Sequence, residues 1–215
     1  MKYKFIDIGC GHVSVSSDIF GTDEVGMYVE PIKKFLDVLP SGPNIIKEEC
    51  AITETNGEVN LYAFIPEHVE YFTGTQLQEI FKDKEKEKEF YSQYPASNCS
   101  SLFYFDIEYF QRLSKKIKVK SKTLETLFDE HKVTEVDYLK IDVEGAESIV
   151  LNQLIKLMEK RSVKVNKQIK FEYCNLQFIK ELDKIAEYLE KHFNFSIDFE
   201  YTFPWDNDLV LSKKD

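Results

Sequence analysis

Asp137-Tyr138-Leu139-Lys140-Ile141-Asp142-Val143-Glu144-Gly145-Ala146-Glu147 is an apolar run that would make a buried strand, were it not seeded with four acids and one lysine. Burying charge costs several kcal/mol unless it is paired or put to use. The acids are therefore expected to crowd the carboxyl end of a strand, where open α/β sheets place their ligands.

Phe5-Ile6-Asp7-Ile8-Gly9-Cys10-Gly11 answers it from the other end of the chain: a short apolar run, an acid, then Gly-x-Gly ahead of a stretch from Val13 to Phe20 that can open a helix. Glycine permits a tight turn and close approach of backbone to a ligand. The third glycine of a dinucleotide fingerprint is absent, because the loop continues His12-Val13-Ser14, which weakens a nicotinamide reading. Next comes Glu24-Val25-Gly26-Met27-Tyr28-Val29-Glu30-Pro31, whose strand ends in an acid 23 residues beyond Asp7. That is close to the spacing at which a carboxylate accepts hydrogen bonds from ribose hydroxyls. Pro31 suits the first turn of a helix over Ile32 to Leu39.

The 215 residues, 43% hydrophobic and 14% aromatic, predict a single domain, 1–215, with a sizeable core. A formal charge of −10 argues against nucleic acid as principal partner. Lys115-Lys116-Ile117-Lys118-Val119-Lys120-Ser121-Lys122 is the basic exception and reads as a solvated edge strand guarded by lysines. Cysteines 10, 50, 99 and 174 form no C-x-x-C pair, so neither a zinc site nor a disulfide framework is indicated. No apolar stretch approaches the roughly 20 residues of a membrane span, and Met1-Lys2-Tyr3-Lys4 leads directly into a strand. The expectation is a cytoplasmic protein with no membrane span.

Strand and helix patterns alternate. Strands are expected at Tyr3 to Ile8, Val25 to Val29, Asn44 to Ala51 and Gly57 to Ile65, the last entered through a hairpin turn at Thr55-Asn56-Gly57. Pro66 to Asn98 breaks the rhythm with a run of alternating charge, Lys82 to Glu89, which reads first as a solvated helix face and second as an insertion or lid carrying Tyr71, Phe72, Phe90, Tyr91 and Tyr94. Further expectations are strands at Ser100 to Phe105, Ile117 to Ser121, Tyr138 to Ile141 and Ile169 to Tyr173, and helices over Thr123 to His131, Ala146 to Lys160 and Phe178 to His192. Ser196 to Tyr201, the turn-rich Pro204-Trp205-Asp206-Asn207 and Asp208 to Leu211 read as a terminal hairpin. The fold class is therefore α/β: a doubly wound, mostly parallel sheet ending in an antiparallel hairpin. That ending looks like the Rossmann-like class I methyltransferase variant rather than the six-parallel-strand dinucleotide fold.

The chain resembles the FkbM-type S-adenosylmethionine-dependent methyltransferases in Asp7-Ile8-Gly9-Cys10-Gly11, Val29-Glu30-Pro31, Cys50-Ala51-Ile52, Asn98-Cys99-Ser100-Ser101-Leu102, Lys122-Thr123-Leu124-Glu125 and, above all, the Lys140-to-Glu147 string. The resemblance implies S-adenosylmethionine as cofactor, with Gly9 and Gly11 cradling its methionine portion and Asp7 positioning that loop or the ligand's amino group. It implies Glu30 on the ribose hydroxyls, residues around Ala51 bordering the adenine and Asp142 near the methyl being transferred. Glu147 reads as a helix-start acid suited to the positive end of the helix dipole.

Methyl transfer to a neutral oxygen needs an oriented nucleophile and removal of its proton. The candidate carboxylates are Asp142, Glu144 and Glu172, with His12 as the one histidine worth testing. Lys140 reads first as a partner that neutralises the acids, and second as a base of lowered pKa. No metal is assigned. The leading reading is O-methylation of a hydroxyl on a sugar, glycan or small metabolite. An S-adenosylmethionine-binding module without catalysis is the second, and a nicotinamide-dependent oxidoreductase or epimerase the third. Phe103-Tyr104-Phe105 and Tyr109-Phe110 read as core first, with an acceptor pocket or the interface of a homo-oligomer as alternatives.

Overall fold

A computed structural model of the chain describes residues 1–11, 15–63, 85–86, 100, 102, 114–172, 179–198 and 208–214. The elements in order are β1 (Lys2–Ile8), α1 (Val15–Phe20), β2 (Gly26–Val29), α2 (Lys33–Val38), β3 (Ile45–Glu48), β4 (Ala51–Ile52), β5 (Gly57–Ala63), β6 (Lys115–Lys122), α3 (Leu124–Glu130), β7 (Glu135–Ile141), α4 (Glu147–Glu159), β8 (Lys164–Glu172), α5 (Ile179–His192), β9 (Phe193–Asp198) and β10 (Asp208–Lys213). Among the described residues no helix is long and apolar enough to cross a membrane.

Seven strands form one sheet in the order β3-β2-β1-β7-β8-β10-β9. From β3 to β8 every pairing is parallel, and β10 is antiparallel to both β8 and β9. The expected terminal hairpin is present, with its last strand inserted between β8 and β9. β1 from Phe5 onward and all of β2 are buried, because parallel strands at the centre of such a sheet are covered on both faces. On one face Ile6, Ile8, Leu139, Ile141 and Ile169 pack with Leu124 and Leu127 of α3, Val150 and Leu154 of α4, and Ile185 and Leu189 of α5. On the other, Phe5 and Tyr28 pack with Phe20 of α1 and Leu36 of α2. The order in which strands are added reverses at β1, with β2 and β3 laid down on one side of it and β7 and β8 on the other. That switch point is where such sheets open a crevice at the carboxyl ends of their strands.

The second sheet corrects the sequence reading in three places. The expected strand over Asn44 to Ala51 is two strands, because after Glu48 the chain leaves the large sheet and β4 joins a smaller one, of order β4-β6-β5. Thr55-Asn56-Gly57 does not close a hairpin between β4 and β5, since β6 lies between them, parallel to β4 and antiparallel to β5. The lysine-rich β6 is therefore central, not an edge. Alternation explains its composition: Val119 and Ser121 point inward while Lys116, Lys118 and Lys120 stand in solvent. The inner side packs Leu61, Ala63 and Val119 on Ile32 and on Phe35 and Val38 of α2, so α2 is wedged between the two sheets.

Helix boundaries shift slightly. Pro31 precedes the α2 N-cap, Ile32, rather than entering the first turn. Thr123 caps α3, its hydroxyl accepting from the Thr126 amide at 3.1 Å. His12, Tyr173, the aromatics of 103–110 and the 66–98 segment, apart from the helical Glu85 and Lys86, lie outside the described residues.

Candidate active site

Hydrogen bonding runs on beyond the strand ends and draws three loops together. The Gly9 amide donates to the Val29 carbonyl at 2.8 Å, the Asp142 amide to Ile8 at 2.9 Å and the Glu30 amide to Glu48 at 3.0 Å. Gly9 has a left-handed φ of 77°. A Cβ there would lie 1.8 Å from the Asp142 carbonyl oxygen, inside any allowed contact, so only glycine lets the β1 and β7 loops meet.

These loops form one wall of a cleft of about 530 Å³, part of it open to solvent. Gly9, Gly11, Glu30, Asp142, Val143 and Glu144 line the strand-end side, and an apolar wall comes from Phe35 of α2, from Ala51, Ile52 and Leu61 of the small sheet, and from Cys50 and Leu102. From that wall the sequence marks Ala51 and its neighbours as the adenine border; Phe35 and Leu61 are additions of the structure. The apolar alternation of Val59, Leu61 and Ala63 in β5 is the signal for Leu61.

Glu30 is 4% exposed. Its Oε2 accepts from the Gly11 amide at 3.0 Å and its Oε1 from the Ile32 amide at 2.9 Å. A carboxylate has about four acceptor positions, so two of Glu30's remain for a ligand. Burial is the main force on its pKa, aided by the negative charges of Asp142 and Asp7 and opposed by the two amides; the net result pushes it up to about 7.

Asp7 is fully buried behind the glycine loop and does not line the cleft. Its Oδ2 accepts from the Ser16 hydroxyl at 2.9 Å, tying the loop to α1. Lys140 stands between the acids, with its ammonium 2.7 Å from Asp142 Oδ2 and 3.8 Å from Asp7 Oδ1. Burial alone would discharge the ammonium, but Asp142 and Asp7 outweigh it and hold the pKa above the ordinary lysine value. Lys140 is therefore a counter-ion in this structure and not a base.

Glu144 lines the cleft with a left-handed φ of 51°. Glu147, only 8% exposed, turns back from α4 into the loop: its carboxylate accepts from the Val143 amide at 3.0 Å and from the Gly145 amide at 3.0 and 3.2 Å. Burial raises its pKa against those bonds. Glu172 ends β8 one residue past the pairing of Ile141 with Phe171, which sets its backbone beside Asp142; its side chain lies outside the described residues.

Two further features are structural in chemistry. Burial pushes the Cys50 thiol up to about 12 and raises that of Cys10 as well, which favours the protonated thiol at both. Among the described residues Glu48, Glu130 and His131 could gather round a cation. Lys122 already bridges the two carboxylates, at 2.9 and 2.5 Å, and His131 Nε2 lies 2.7 Å from Glu48, which makes an ion-pair network of the group.

The family described as Methyltransferase FkbM domain matches residues 13–197. No curated protein sequence matches the chain. Among solved structures it is similar to the crystal structure of precorrin-6y C5,15-methyltransferase from Geobacter metallireducens GS-15, with 12% identity, 100% of this chain and 81% of that chain covered, and a TM-score of 0.40.

Proposed function

Because the chain belongs to the FkbM methyltransferase family, we propose that it binds S-adenosylmethionine in the strand-end cleft and methylates a hydroxyl oxygen of a sugar, glycan or small metabolite. The donor set fits that cofactor. A sulfonium with its adenosine calls for acids at one end, a carboxylate with free acceptor positions in the middle and an apolar slot at the other. Asp142 and Glu144, Glu30, and the Phe35–Ala51–Leu61 wall offer these in that order. Bound there, S-adenosylmethionine supplies an electrophilic methyl group on a positively charged sulfur.

The chain's own groups do the rest. Glu30 takes the two ribose hydroxyls on the acceptor positions that Gly11 and Ile32 leave open. Gly9 and Gly11 admit the methionine portion against bare backbone, and Asp7 keeps their loop in place through Ser16. Asp142, oriented by Lys140, faces the methyl-bearing end. Glu144, which lines the cleft, and Glu172, which ends the adjacent strand, are the candidate general bases for the acceptor hydroxyl beside Asp142, whose carboxylate the Lys140 ammonium holds.

The observation that carries this reading is the single cleft wall shared by Glu30 at the end of β2 and Asp142 at the end of β7. Calorimetry tests it. S-adenosylmethionine and S-adenosylhomocysteine are expected to bind and to raise the melting temperature, whereas NAD does neither. Binding of NAD alone overturns the reading. Donor binding without methyl transfer to any of a panel of sugars, phenols and carboxylates overturns its catalytic half.

A further inference from the structure

We infer that Glu147 is a positioning residue that holds the cleft loop Val143–Gly145 in its working shape, and not merely an acid placed at a helix start. The inference deepens the methyltransferase reading and rests on it for the role of the loop. Glu144 holds a left-handed φ of 51° that an L-residue with a long side chain rarely adopts. Strain of that kind persists only where the surroundings enforce it. The amides on either side of Glu144, those of Val143 and Gly145, both donate to the Glu147 carboxylate, so one side chain spans the strained residue. The α4 N-cap, Ala146, has no side chain that could serve the same amides.

The clamp reaches further than Glu144. Val143 lines the cleft, and its Cγ1 comes within 3.0 Å of the space that a Cβ on Gly9 would occupy. Fixing the Val143 amide therefore seats the β7 loop against the β1 loop. Glu147 itself is absent from the cleft lining. It acts through the loop and touches no ligand.

Two conservative variants separate a clamp from a dipole partner. Glu147→Gln loses the charge but keeps a carbonyl oxygen that can accept from both amides. Glu147→Asp keeps the charge at the helix start but draws the carboxylate one methylene away from them. With S-adenosylhomocysteine as the calorimetric probe, a clamp predicts affinity within about threefold of wild type for Glu147→Gln and at least about tenfold weaker for Glu147→Asp, with melting temperatures in the same order. The opposite order, or two equal variants, overturns the inference. Failure of the wild-type protein to bind the probe would count against the methyl-donor reading, while the melting order would still judge the clamp. If Glu147→Asp does not fold, protection of the Val143 and Gly145 amides from hydrogen exchange in Glu147→Gln decides: retention supports the clamp, and loss overturns it.

Discussion

Glu30 and Glu147 use the same local chemistry in two regions of the molecule, for different ends. Each is a nearly buried carboxylate that accepts two loop amides, and burial raises the pKa of each. Glu30 follows β2, clamps the glycine loop through Gly11 and faces the cleft. Glu147 opens α4, clamps the acidic loop through Val143 and Gly145, and faces away. A carboxylate that satisfies loop amides thus becomes a ligand group only where its remaining acceptor positions meet open space. The two loops they shape meet at Gly9 and Asp142, so neither region is independent of the other.

The sharpest way to break the comparison is to force those loops apart. Gly9→Ala sets a methyl group 1.8 Å from the Asp142 carbonyl at a backbone angle that disfavours it. Urea unfolding should show a loss of order 4 kcal/mol or more, and any variant that folds should bind no S-adenosylmethionine. A near-neutral result would mean that the loops do not depend on their contact.

Glu30→Ala comes next. Removing the proposed ribose acceptor should weaken S-adenosylhomocysteine binding about 100-fold, the scale of two hydrogen bonds to a charged group. Proton linkage sharpens the contrast further. With the free carboxyl at about 7, the ionised fraction grows about tenfold between pH 6 and 8, and affinity should grow with it if the bound form is ionised. Glu30→Gln should flatten that dependence. The sign for folding is opposite. A carboxyl whose folded pKa lies above its ordinary 4.5 holds an extra proton in the native state, so unliganded stability should fall as pH rises from about 4.5 to about 7.

The sequence made the large sheet readable because its strands are short apolar runs punctuated by acids and glycines at their carboxyl ends. Asp7, Gly9, Glu30 and Asp142 each occupy such an end, and the β2 acid could be placed by spacing alone. The small sheet was harder to read, because pairing between β4 and β6 spans more than 60 residues and leaves no local trace. Without that partner, alternating lysines on β6 look the same on a central strand with one wet face as on an edge. Sequence alone marks Glu147 as a helix-start acid, because it gives the position of a carboxylate and not its direction. Its turn back into the loop follows from the left-handed residue at Glu144 and the bare N-cap at Ala146, and neither can be recognised before the backbone is known.

The ends of β2 and β7 share one cleft, and a crystal structure with S-adenosylhomocysteine would show whether the cofactor occupies it. The expected result is the ribose on the Glu30 carboxylate, the adenine against Ala51 and Leu61, and the sulfur on the Asp142 side of the cleft. Ligand density elsewhere on the molecule, or a ribose held without Glu30, would contradict it.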